Sequence, residues 1–242
     1  MSPEDALKRP SDHAGDSEGV DRRRLRSFQR TLLRWYTRHG RDLPWRQTQS
    51  PYHILVSEVM LHQTQVDRVI PKYHEFLTAY PSFEALAAAP LDQVKQLWRP
   101  LGYNFRPGRL QRIAQQVVAD FGGRLPDTLE GLIALRGIGR YTAGAILSFA
   151  FHKDAPIVDT NVRRLLQRVF AIPGDPMRSP ASRQIWQLAQ TAIPAGRGHE
   201  FNSALIDFGA LVCTARTPQC CTCVLIDQCL WPDKTMRLQH VR

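Results

Sequence analysis

The chain has 242 residues, 43% hydrophobic and 22% charged, which is enough apolar material for one large core or two smaller ones and excludes a disordered chain. Lys and Arg number 32 against 22 Asp and Glu, a formal net charge of +10, and only five of the 32 are lysines. Guanidinium forks grip phosphate at two points, so a polyanion, nucleic acid first, is the expected partner.

Residues 1–20 mix Ser, Asp, Glu, Gly and Pro without apolar periodicity and read as a disordered tail. From Arg22 onward, Leu25, Phe28, Leu32, Leu33 and Tyr36 recur at helical spacing beside Arg22, Arg23, Arg24, Arg26, Arg30 and Arg34, an amphipathic helix with a basic face. Further helices are predicted near 51–63, 66–79, 82–88, 91–98, 107–121, 127–135, 141–151, 160–171, 179–193 and 199–212, punctuated by Pro81, Pro90, Gly102, Gly122, Gly123, Pro126, Pro173, Gly174 and Pro194. No stretch alternates strictly, so the fold class is all-α. The longest apolar run, 143–151, is far short of the roughly 20 residues that cross a bilayer. With no hydrophobic signal core at the N-terminus either, the expectation is no membrane association and a cytoplasmic location.

Four places along this helical chain carry chemistry. In Ile54 to Leu61 only Ser57 and Glu58 are polar, so the helix should be buried and Glu58 desolvated, with its pKa raised until it can carry a proton near neutral pH. Leu135 to Ala143 reads as helix, glycine turn and helix, in which Gly137 and Gly139 clear the way for amides to face a phosphate, flanked by Arg136 and Arg140. Asp159 opens a helix whose buried stripe is Val162, Leu165, Leu166, Val169 and Phe170, while Arg163, Arg164, Gln167 and Arg168 face away. A carboxylate at that N-terminus is expected to stay ionised and so to stabilise a nearby cation. One carboxyl that donates and another that stays charged is what glycosidic cleavage through an oxocarbenium-like state requires.

The fourth place is Cys213, Cys220, Cys223 and Cys229, spaced by six, two and five residues, with Cys221 as the odd one outside the set. Four thiolates suit a tetrahedral zinc or a [4Fe-4S] cluster, and ligand type alone does not separate them. Only Cys220 and Cys223 form a Cys-x-x-Cys knuckle where zinc ribbons use two, which weighs toward iron-sulfur. Arg216, Lys234 and Arg237 stand where this segment would meet phosphates.

Taken with Leu43-Pro44-Trp45-Arg46, the run Ser57 to Val66, Leu101-Gly102-Tyr103 and Val158 to Val162, these motifs resemble the helix-hairpin-helix DNA glycosylases of the endonuclease III superfamily, and within it the MutY-type adenine DNA glycosylases. The resemblance runs from about Arg22 to Trp231. It implies a six-helix domain over 48–152, an iron-sulfur domain from 22–47 plus 153–231, a tail at 232–242, and mismatched double-stranded DNA in the cleft of a monomer. It further implies Glu58 as the acid that protonates the departing base, Asp159 as the charge stabiliser, Asn161 as an assisting polar group, and Gln63 and Tyr103 as wedges in the DNA. Arg41, Trp45, Arg46, His62 and Ser203 match base-pocket positions. Tyr141 stands where strand-cleaving relatives carry a Schiff-base lysine, and a phenol cannot form one, so a monofunctional enzyme is implied.

Three positions depart from the adenine pattern: Ser203 for Gln or Glu, His62 for Gln, and Asn104 for a second Tyr. The sequence also ends about a dozen residues after Cys229, so no Nudix-like lesion-reading domain is expected. A thymine or uracil mismatch glycosylase is the alternative, and a non-catalytic iron-sulfur DNA-binding protein the third reading.

Overall fold

Helix α1 (Arg22–His39) starts where the Asp21 carboxylate accepts from the Arg23 N–H at 2.9 Å, and it buries Leu25, Phe28, Leu32, Leu33 and Trp35 on one face. The computed structural model describes residues 21–102 and 105–234. Within them there are helices and turns and no strand. After a 3-10 turn at Pro44–Arg46 come α2 (Pro51–Leu61), α3 (Val66–Ala79), α4 (Phe83–Ala88), α5 (Leu91–Trp98), a second 3-10 turn at Arg99–Leu101, and α6 (Phe105–Phe121). The chain continues through α7 (Leu129–Ala134), α8 (Arg140–Phe149), α9 (Thr160–Phe170), α10 (Ala181–Thr191) and α11 (Gly198–Leu211). It closes in an irregular segment with short 3-10 turns at Cys220–Thr222 and Ile226–Gln228.

Two apolar cores result. Around α2, whose Ile54 to Met60 stretch is buried on every side, Val69, Phe76, Leu86, Trp98, Leu110, Ile113, Leu132 and Ile146 form the first. In the second, Phe28 and Leu32 of α1 pack with Leu165, Ile185, Phe201, Phe208 and Leu225, so the N-terminal helix is sealed by the last third of the chain. Each fully buried large side chain of this kind stabilises by about 1.5–3 kcal/mol. The extended segment between α8 and α9 joins the cores, with Ile157 in one and Val158 in the other. Asp159 follows at that seam.

Candidate active site and thiol pocket

Glu58 is 3% exposed in the last turns of α2. Tyr141, in the first turn of α8, hydrogen-bonds through its hydroxyl to the Glu58 carboxyl, whose Oε2 has no partner among the described residues. Burial pushes Glu58 from 4.5 up to about 7; the Tyr141 bond and the charge of Arg46 oppose this, and the negative charge of Asp159 adds to it. Burial and the two carboxylates likewise push the Tyr141 phenol well above its ordinary value, so it stays a donor.

Asp159 is the N-cap of α9, its Oδ1 accepting from Val162 N–H at 2.7 Å and its Oδ2 from Asn161 Nδ2 at 3.0 Å. The expectation that the helix N-terminus alone keeps it ionised needs correcting. Burial is the largest influence and moves its pKa up, against the bonds from Val162 and Asn161 and the charge of Arg164. Two carboxyls whose fields act on each other titrate as a pair.

Glycines allow the close approaches that build this seam. A Cβ on Gly144 in α8 would stand 2.3 Å from the Pro156 carbonyl oxygen, and one on Gly209 in α11 would stand 2.8 Å from the Asn161 carbonyl oxygen. Both obstacles are backbone. Gly144→Ala is expected to force the linker to Asp159 outward, costing about 1–3 kcal/mol in overpacking, and to slow the chemistry with it. Thermal unfolding checks this, and an unchanged midpoint would show that the linker yields without cost.

The polar face of α9 does not face solvent as expected. Arg164 donates to the Gly209 and Cys213 carbonyls and to Asn161 Oδ1 (2.7, 2.8 and 2.9 Å), and Arg168 to the Thr214 and Ala215 carbonyls (2.8 and 3.1 Å). These arginines clamp α11 and the cysteine segment to α9, satisfying carbonyls that irregular backbone leaves unpaired.

Trp45 is 5% exposed and meets Tyr73 edge to face at 5.5 Å in the first core, so it is a core aromatic and no open pocket wall. Arg41 and Arg46 are both bound to Asp207 of α11, a residue the sequence reading missed. Ser203 is completely buried, with its Oγ unpartnered among the described residues. His62 lies 6.0 Å from the Tyr141 ring; burial and the charges of Arg109 and Arg106 lower its pKa and keep the imidazole neutral.

Gln63, exposed directly after α2, has φ +59, a left-handed conformation uncommon for a side-chain-bearing residue. Arg106, also missed, holds the backbone there. It is 3% exposed, and its guanidinium donates to the Val59, Met60 and His62 carbonyls, to Thr64 Oγ1, and to the Leu101 and Gly102 carbonyls at 2.5–3.2 Å. Tyr103 and Asn104 lie outside the described residues, as do the tail at 1–20 and Arg237.

In the hairpin Gly137 has φ +116, and Arg109 donates to its carbonyl. Arg136, Gly139 and Arg140 are exposed; Gly139 starts α8 without a side-chain cap, and Arg140 lies 4.2 Å over the Trp186 ring. The first amides of α8 are therefore left for an outside acceptor.

Cys213, Cys220, Cys223 and Cys229 line one small apolar pocket with Leu165, Phe208, Leu225 and Trp231. Among the described residues no three His, Cys, Asp or Glu side chains converge on a single ion, as a tetrahedral zinc with Zn–S of about 2.3 Å would need. Four thiols lining one apolar pocket are the donor set that a [4Fe-4S] cluster takes. Burial pushes the Cys223 thiol up to about 11, and the charge of the other three cysteines adds to this against a backbone hydrogen bond from Leu225, so this thiol is costly to ionise unless a cation neutralises it. Cys221 is exposed. Lys234, expected to meet phosphates, instead donates to the Ile226 and Cys229 carbonyls at 2.9 and 2.5 Å and ties the segment's end down.

The model of the HhH-GPD superfamily of base excision DNA repair proteins matches residues 56–191, more than half of the chain. An adenine DNA glycosylase of Rattus norvegicus is 45% identical over 212 residues, 84% of this chain and 41% of that protein, so the chain spans about two fifths of that relative's length. A thymine-DNA glycosylase of Aeropyrum pernix is 37% identical over 216 residues, 88% of this chain and 97% of that one. The solved structure of a thermostable thymine-DNA glycosylase superposes with a TM-score of 0.81 at 33% identity, covering 88% of this chain and 98% of that one.

Proposed function

Because the chain belongs to the HhH-GPD superfamily of base excision DNA repair proteins, we propose that it hydrolyses the N-glycosidic bond of adenine mispaired with guanine or 8-oxoguanine in duplex DNA. The observation that carries this is Glu58, a buried carboxyl with its acid form favoured up to about pH 7, beside a second carboxyl at the N-terminus of α9. Such an acid can protonate a ring nitrogen of a purine, which thymine does not offer in the same form.

Glu58 gives its proton to a ring nitrogen of adenine, and the bond from C1′ to the base breaks with its electron pair leaving on adenine. The carboxylate of Asp159 stabilises the sugar cation, water adds to C1′, and the water proton returns to a carboxylate. Adenine and an abasic site result. Tyr141 donates to Glu58 and offers no amine for a covalent intermediate, which supports a monofunctional enzyme. Since Glu58 must be protonated and Asp159 ionised, the rate against pH is bell-shaped, falling about tenfold per unit above a limb near 7.

Gln63, presented by strained exposed backbone, and Tyr103 enter the duplex where the adenine leaves it. The hairpin amides, with Arg136 and Arg140, take the phosphates. Cys213, Cys220, Cys223 and Cys229 hold a [4Fe-4S] cluster, which supplies local folding in this scheme and no step of the hydrolysis.

A thymine or uracil mismatch glycosylase is the second reading, favoured by the near full-length match to the Aeropyrum pernix protein. Single-turnover excision on duplexes carrying each mismatch, followed by alkali cleavage, decides between them. Adenine opposite guanine and 8-oxoguanine should be released fastest, with weak discrimination between those two opposite bases. Faster release of thymine or uracil opposite guanine would establish the second reading in its place.

A further inference from the structure

Asp207 sits on α11 four residues beyond Ser203 and is fully buried. A carboxylate withdrawn from water persists only with partners, and Asp207 has two. Arg41 donates its backbone N–H to Oδ2 and its Nε to Oδ1, each at 2.8 Å. Arg46 donates Nη1 to Oδ2 at 2.7 Å and Nη2 to Oδ1 at 2.8 Å, and its Nη1 also reaches the Arg41 carbonyl at 2.9 Å. Burial opposes the charge, yet these two guanidiniums hold the Asp207 carboxyl below its ordinary value, so it is an anion near neutral pH.

Fastening the Pro44–Arg46 turn to α11 does not by itself require ions, because apolar side chains of similar volume commonly hold such a contact as well or better. The same turn packs against α2, the helix that carries Glu58, and this supplies a reason. The Arg46 cation acts on Glu58, which also faces Tyr141 from α8 and Asp159 from the start of α9. Of these groups, only Arg46 brings positive charge to the acid, and a bare cation there would draw the proton off.

We propose that Asp207 is a positioning residue for excision, holding Arg46 in a two-point grip beside Glu58 and cancelling its charge, so that the acid faces a paired cation rather than a bare one. This rests on the excision reading above. Two arginines and one carboxylate leave the triad at +1; with Asp207 neutral it would be +2. Removing Arg41, whose side chain is 25% exposed, would leave Arg46 and Asp207 balanced at zero.

The test is single-turnover excision against pH for wild type, Asp207→Asn, Asp207→Glu and Arg41→Gln. In Asp207→Asn the alkaline limb should move to lower pH by about one unit, giving a deficit of about ninefold at pH 8 against about twofold at pH 6. Asp207→Glu, which keeps the charge, should bring the limb back. Arg41→Gln should move it the other way, and decides the matter if Asp207→Asn does not fold. A loss equal at all pH values, or limbs that stay put, would reduce Asp207 to a structural ion and overturn the proposal. Carboxyl ¹³C NMR of Glu58 in the protein without DNA reads the same shifts independently of substrate. Should wild type release no mispaired adenine, the function assignment fails, and this titration still decides the role of Asp207.

Discussion

Glu58→Gln is expected to slow base excision by about 10²–10⁴-fold while affinity for duplex DNA stays within about twofold, because phosphate contacts supply binding. The same substitution should make the protein more stable at alkaline pH. The folded-state pKa of Glu58 is raised from 4.5 to about 7, so between those values the folded protein holds a proton that the unfolded chain has released. Stability is therefore lost as pH rises through this window, by about 3 kcal/mol in all, and Gln does not titrate. Urea unfolding should favour the variant at pH 8 and lose that advantage at pH 4. Wild-type excision rates in Glu58→Gln, or equal stability gaps at both pH values, would remove the buried acid from the mechanism.

Cys229→Ser is expected to strip the metal and lower the unfolding midpoint by roughly 10 °C, the equivalent of about 4 kcal/mol for a chain of this size. The irregular segment from Cys213 onward has little regular structure of its own; arginines of α9 and Lys234 hold its carbonyls, and fully buried Leu225 anchors it to the second core. Thiolates gathered around an apolar pocket repel one another, so a metal that neutralises them would supply folding free energy. Wild-type protein purified without oxygen should carry about four irons with broad visible absorption, and the variant neither. One zinc per chain would replace the cluster assignment.

Much of this architecture is local and therefore legible in the chain. Helices predicted near 66–79, 91–98 and 160–171 appear at Val66–Ala79, Leu91–Trp98 and Thr160–Phe170, because apolar spacing and capping residues act within a few positions. The burial of α2, and with it the raised pKa of Glu58, followed from a run of apolar residues with only two polar exceptions. Proline and glycine marked most ends, though 51–63 stopped at Leu61, where the left-handed Gln63 breaks the helix.

What the chain does not disclose is which of its 27 arginines are buried and what they hold. Arg106 reads as one more surface cation, yet it gathers carbonyls from residues up to 47 positions away. Arg41 and Arg46 matched a base pocket, but Asp207 lies 166 and 161 positions beyond them, and only the packing of α11 beside the Pro44–Arg46 turn brings it there. The same holds for α9, whose arginines took the carbonyls of an irregular segment 46–49 positions on. Helical periodicity depends on neighbours in sequence; the pairing of a buried charge depends on neighbours in space, and those are settled only when the two cores close on one another.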